Sequence, residues 1–99
     1  MTASLSAFSF ETIQAGLSPI GLTQATFAPT SGVAQKAFIT IEGEARYTYH
    51  PGGEPSPTLG HLLRDGGYLV LHGELQMRNF KVVSTGIEPV NLTVSYERP

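Results

Sequence analysis

Lys36-Ala37-Phe38-Ile39-Thr40-Ile41-Glu42-Gly43-Glu44-Ala45-Arg46-Tyr47-Thr48-Tyr49-His50 decides the fold class of this 99-residue chain. Ala37, Ile39 and Ile41 alternate with Phe38 and Thr40, and Tyr47 and Tyr49 alternate with Arg46, Thr48 and His50. A period of two is that of an extended strand, whose successive side chains point to opposite faces. Glu42-Gly43-Glu44 separates the two runs, and its glycine can take the positive φ that a three-residue hairpin requires. The stretch therefore reads as two short strands folded back on each other.

Outward from it, the same pattern recurs. Val90, Leu92, Val94 and Tyr96 alternate with Asn91, Thr93 and Ser95, an apolar face backed by a polar one, as in an antiparallel sheet with one wetted side. Tyr68 to His72 is a strand opened by Gly66-Gly67 and closed by Gly73, with Leu69 and Leu71 on one face. Asn79 to Thr85 follows, with Phe80 and Val82 on one face. Before the central stretch, Ala7 to Gln14 reads as a strand in which Phe8 and Phe10 share a face opposite Ser9, Glu11 and Ile13. Gly21 to Phe27 reads as a second extended piece, turning Leu22 and Phe27 inward. Thr58 to Asp65 carries the one hint of helix, a single turn interrupted by Gly60. His50 to Pro57, with three prolines and two glycines in eight residues, is a surface loop. No segment is long enough for a crossover helix, which excludes a parallel α/β fold. The expectation is an all-β chain, an antiparallel β-sandwich or jelly-roll-like barrel of about seven short strands.

A chain of this length forms one domain, 1–99, able to bury about 60 to 70% of the surface its unfolded form exposes. Charged residues are 14% of it, below the roughly 25% of an average protein. Either Ser, Thr, Asn and Gln take their place on the surface, or part of the surface is covered by another molecule. Residues 1–35 hold one charged residue, Glu11, and are too apolar for a solvated tail. They read as edge strands of the common core and, in part, as an arm lying on a neighbouring subunit. Leu5, Phe8, Phe10, Ile13, Leu17 and Ile20 are its candidate interface residues.

The net charge of −2 and the scatter of Lys36, Arg46, Arg64, Arg78, Lys81 and Arg98 leave no basic stripe for phosphates, so nucleic acid is not an expected partner. Met1 to Phe10 lacks the basic start of a signal peptide, and no apolar run approaches the about 18 residues of a membrane span. With no cysteine in the chain, neither disulfides nor thiolates contribute.

Catalytic patterns are missing as well. His50, His61 and His72 include no His-x-His pair of the kind seen in barrel metal sites. Glu42 and Glu44 lie two residues apart, about 7 Å on a strand, a separation that glycosidases also use, but they flank a turn where carboxylates are solvated. There is no Gly-x-Ser-x-Gly elbow and no phosphate loop. The expectation is a protein that is not an enzyme and needs no cofactor. Tyr47, Tyr49 and Tyr68 offer an aromatic platform for a sugar, or else half-buried core and interface residues.

Phe10-Glu11-Thr12-Ile13, Gly21-Leu22-Thr23 and Ala25-Thr26-Phe27-Ala28-Pro29 are followed by Ala37-Phe38-Ile39-Thr40-Ile41-Glu42-Gly43 with Arg46-Tyr47. Pro57-Thr58, Gly60-His61-Leu62-Leu63, Gly66, Leu71, Asn79-Phe80-Lys81-Val82 and Leu92-Thr93-Val94-Ser95-Tyr96-Glu97-Arg98 complete the order. In that order, over nearly the whole chain, the sequence resembles a small group of tailed-bacteriophage virion structural proteins. The resemblance implies a capsid decoration or cement protein, assembled in the host cytoplasm and bound to the capsid exterior. Its implied partners are the major capsid protein and neighbouring copies of itself, with no membrane and no catalytic residue. A neck or tail component and a carbohydrate-binding module are the alternatives.

Overall fold

A computed structural model describes residues 4–30 and 32–99; Met1–Ala3 and Ser31 of the front segment lie outside them. Seven strands form two antiparallel sheets packed as a sandwich. The first sheet holds β1 (Ser6–Ala15), β7 (Val90–Arg98), β2 (Lys36–Glu42) and β5 (Tyr68–His72), in that order. The second holds β4 (His61–Leu63), β3 (Ala45–Thr48) and β6 (Lys81–Ser84). Two short helices, α1 (Gln24–Phe27) and α2 (Glu74–Asn79), lie in the connections.

The inward residues are those that the alternation selects. Ala37, Ile39 and Ile41 of β2, Leu69 and Leu71 of β5, and Val90, Leu92, Val94 and Tyr96 of β7 are buried, and they meet Ala45, Leu63 and Val82 of the second sheet. β7 is the hub, paired with β1 along one side and with β2 along the other. Burying a side chain of this size contributes about 1.5 to 3 kcal/mol, so these strands supply most of the stabilising area.

The central stretch is not a hairpin. β2 pairs with β5 and β7, whereas β3 pairs with β4 and β6, so Gly43 is a corner at which the chain leaves one sheet for the other. The glycine is required twice over: its φ is +108°, and a Cβ there would lie 2.4 Å from Cγ1 of Val90. Its N–H donates to Asp65 Oδ1 at 2.9 Å, which fixes the corner to the β4–β5 turn. Hairpin and corner make the same local demand, and pairing alone separates them.

Four further expectations change. Gly21 to Phe27 is not extended throughout; Gln24–Phe27 makes one helical turn that drops Phe27 into the core against Tyr96, ring centroids 6.0 Å apart. Thr58 to Asp65 holds no helix but strand β4, drawn into the sheet by pairing with β3. The strand expected from Asn79 starts at Lys81, because Glu74–Asn79 is helical and buries Met77. In β1 the register shifts between Ala7 and Ser9. That irregularity reverses the alternation, so Phe8 packs on the core while Phe10 points out, and the two do not share a face.

Segment 16–28 closes one open side of the sandwich. Ile20 and Val82 exchange backbone hydrogen bonds, and Ser84 N–H donates to Gly16 C=O at 2.7 Å. Glu11 anchors the rest: its carboxylate accepts from Thr23 N–H (3.1 Å), Thr23 Oγ1–H (2.6 Å) and Tyr96 O–H (2.5 Å). The lone charge of the front third is thus a structural clasp on the inner side of β1.

Candidate functional site

Side chains that register places in one row across a sheet share a face. Phe10, Ser95, Phe38 and Val70 form such a row across β1, β7, β2 and β5. Thr12, Thr93, Thr40 and Tyr68 form the next. These eight residues occupy the centre of the first sheet's outer face, and none is charged at neutral pH. Charge begins at the rims. On one side Lys36 sits 3.8 Å from Glu97, with His72 across from Lys36; on the other, Glu42 follows Gln14 and Asn91.

The centre of this face is also apolar where it protrudes. Phe10 is 71% exposed, Tyr68 67% and Phe38 37%, and the Phe38 and Tyr68 rings lie 5.6 Å apart. The alternation of β2 and β5 turns Phe38 and Tyr68 outward as the counterparts of Ile39 and Leu69. Sequence reading found these strands but did not join Phe10 to Phe38, because that juxtaposition needs β7 between β1 and β2.

The other candidate interface residues are dispersed. Leu5 is half-buried, and Phe8 is half-buried beneath the Arg98 guanidinium, 4.1 Å from its ring centroid. Ile13 is a core residue and has no surface to offer a neighbour. Leu17 and Ile20 are exposed, but beside the edge of β6 rather than on the outer face of the first sheet.

The tyrosines do not assemble into one platform. Tyr68 sits with Phe38, whereas Tyr47, Tyr49 and His61 form a separate cluster on the second sheet. Tyr47 lies 5.2 Å from His61, 6.3 Å from Tyr49 and 5.8 Å from Phe80, so these rings lie mainly against one another and the core. Burial, and secondarily Tyr49, hold the Tyr47 phenol above its ordinary value of 10.0. Of the three tyrosines Tyr47 alone is half-buried; Tyr49 and Tyr68 are exposed.

His50, His61 and His72 lie in a loop, on β4 and on β5, and no group of three potential metal ligands occurs among the described residues. Glu42 and Glu44 flank the Gly43 corner, both exposed, with Glu44 Oε1 accepting from Thr85 Oγ1–H. The most perturbed ionisable group is Tyr96, whose phenol is held far above its ordinary 10.0 by burial and then by its hydrogen bond to the Glu11 carboxylate. That bond is part-buried and structural. No cavity indents the surface of the described residues.

The loop from His50 to Pro57 is a loop as expected, but it packs rather than floats. Gly53 and Pro55 are buried, and a Cβ on Gly53 would come within 2.9 Å of Thr48 Oγ1. Lys81 Nζ pairs with Glu54, and Arg46 donates to Gly60 C=O at 3.0 Å, holding the loop region over the outer side of the second sheet. Among the described residues the first sheet has no such cover. Compared with protein families, with characterised proteins and with solved structures, the chain matches none.

Proposed function

We propose that this protein is a non-enzymatic structural subunit of a tailed-phage virion, a decoration or cement protein seated on the outside of the major capsid protein shell. The observation that carries the reading is the outer face of the first sheet. Its two central rows hold no charge and expose Phe10, Phe38 and Tyr68, while the second sheet's outer side is covered by the chain's own loop. Interface centres are depleted of charge and enriched in aromatic residues, with polar groups at the rim, and that is the distribution here. The resemblance in residue order to virion proteins supplies the partner: the capsid surface, with neighbouring copies alongside and neither nucleic acid nor membrane engaged.

The test is co-sedimentation of the purified protein with shells that lack it, comparing wild type with Phe38→Lys and Tyr68→Lys. Both side chains point outward, so these variants keep the core. Binding reduced at least tenfold by either change is expected, since burying a lysine in place of an aromatic at an interface centre costs on the order of 2 kcal/mol. Undiminished binding by both removes the face from the reading. Deleting the front ten residues is a poor substitute, because β1 is paired with β7 throughout and its loss would unfold the first sheet. Copy number in purified particles separates a decoration subunit, present many times, from a neck or tail component, present few times.

A further inference from the structure

Sheet edges expose unpaired backbone groups, and proteins guard them with short strands, charges, bulges or covering segments. Three of the four edges here are guarded. β6 is covered by Ile20, β4 has three residues, and β5 has five with the His72 N–H taken by Gln76 Oε1 at 2.7 Å. β1 is different. It is ten residues long, it makes no backbone hydrogen bond to any described segment other than β7, and its outward residues Phe10, Thr12 and Gln14 carry no charge. Its one charge, Glu11, points inward, where an edge charge normally deters pairing, but the carboxylate is already satisfied by Thr23 and Tyr96.

We propose that β1 is the seam of a twofold dimer in which the β1 strands of two copies pair antiparallel, with Thr12 opposite its counterpart in the second copy. The register follows from the irregularity at Ala7/Ser9. The regular ladder runs from Ser9 to Ala15, and Thr12 is its midpoint, so only a twofold axis there pairs the regular part of both strands completely. In that register Phe10 faces Gln14 of the second copy, Glu11 faces Ile13, and no like charges meet. The Tyr68–Thr40–Thr93–Thr12 row continues through the seam as six threonines with a tyrosine at each end, and threonine pairs across strands are favourable.

The occupant is a second copy because the edge is complementary to itself and because pairing doubles the face described above. Eight residues cover roughly 260 Å² of sheet, taking strands about 4.8 Å apart and same-face residues about 6.8 Å apart. That is well short of the about 800 Å² per partner of a standard interface; two copies present roughly twice as much, continuously. The inference rests on the proposed function for its purpose, but its test needs no shell.

The chain contains no cysteine, so single cysteines report the seam without background. In the full chain, Thr12→Cys places two Cα atoms about 4.5 to 5.5 Å apart across the axis, within the Cα separation that disulfides span. Phe10→Cys places its pair about 14 Å apart, and Tyr68→Cys lies on β5, the opposite edge of the sheet. Under mild oxidation we expect a covalent dimer from Thr12→Cys and monomer from the other two. Equal crosslinking at all three positions, or none at Thr12, overturns the proposal. Sedimentation of Thr12→Lys, which places a charge on each side of the axis, should show the dimer lost; a dimer that survives it also overturns the seam. Crosslinking without shell binding would refute the proposed function alone, and shell binding by a strict monomer would refute the seam alone.

Discussion

Tyr96→Phe tests whether the clasp between β1, segment 16–28 and β7 is an energetic link or a geometric accident. The Tyr96 side chain is fully buried, and its hydroxyl donates to the Glu11 carboxylate at 2.5 Å. A hydrogen bond to a charged acceptor contributes about 1.5 to 3 kcal/mol, and the ring contact with Phe27 survives the change, so the variant should lose about 2 kcal/mol. Glu11→Ala should cost about as much, because it leaves the buried Tyr96 hydroxyl without its acceptor. The double variant should cost less than the sum, since both single changes break the same bond. The pH dependence has a definite sign. The folded state holds the phenol protonated above its ordinary 10.0, while the unfolded chain releases that proton near the ordinary value. The contribution is fully present below pH 10 and is lost as pH rises beyond it, by up to about 1.4 kcal/mol per pH unit. Urea unfolding followed by circular dichroism at pH 8 and pH 11 measures both effects. The margin of wild type over Tyr96→Phe should shrink at the higher pH; a variant as stable as wild type at pH 8, or a margin independent of pH, would refute the reasoning.

Two further substitutions probe the corner and the loop cover. Gly43→Ala should destabilise by about 3 kcal/mol, from a positive φ and a Cβ forced against Val90; denaturant midpoints should show Val90→Ala restoring part of the loss, and no loss in the single variant would mean that the corner is not strained. Thr48→Val should be neutral or stabilising by about 1 kcal/mol, because Thr48 Oγ1 is buried with no hydrogen-bond partner among the described residues. A drop in melting temperature there would show that the hydroxyl has a partner after all.

In β2, β5 and β7 the alternation of apolar and polar residues picks out the core correctly. Ile39 and Ile41, Leu69 and Leu71, and Leu92 and Val94 are core because a strand with period two must bury one face, and no tertiary information is needed to say which. Helices were harder. Glu74–Asn79 follows a glycine and precedes a strand, and six residues are too few for a helical period to rise above a strand pattern. His61–Leu63 has no period to read, since three residues are too few, and its strand state comes from pairing with β3. Phe8 and Phe10 misled because a single irregularity in register reverses every side chain beyond it.

The candidate site was legible in its parts and not in its assembly. Phe10 is a candidate interface residue and Tyr68 a candidate platform residue in the sequence, Phe38 is neither, and only the order β1-β7-β2-β5 lays all three on one face. From residue order alone one can read an all-β, layer-packed fold with little charge in the front third, because periodicity and composition are local properties. Which strands are neighbours, which edge is left open, and that Gly43 turns a corner instead of a hairpin are long-range choices. They are made by the packing of Val90, Leu92 and Val94 against both halves of the chain, and tertiary structure alone could decide them.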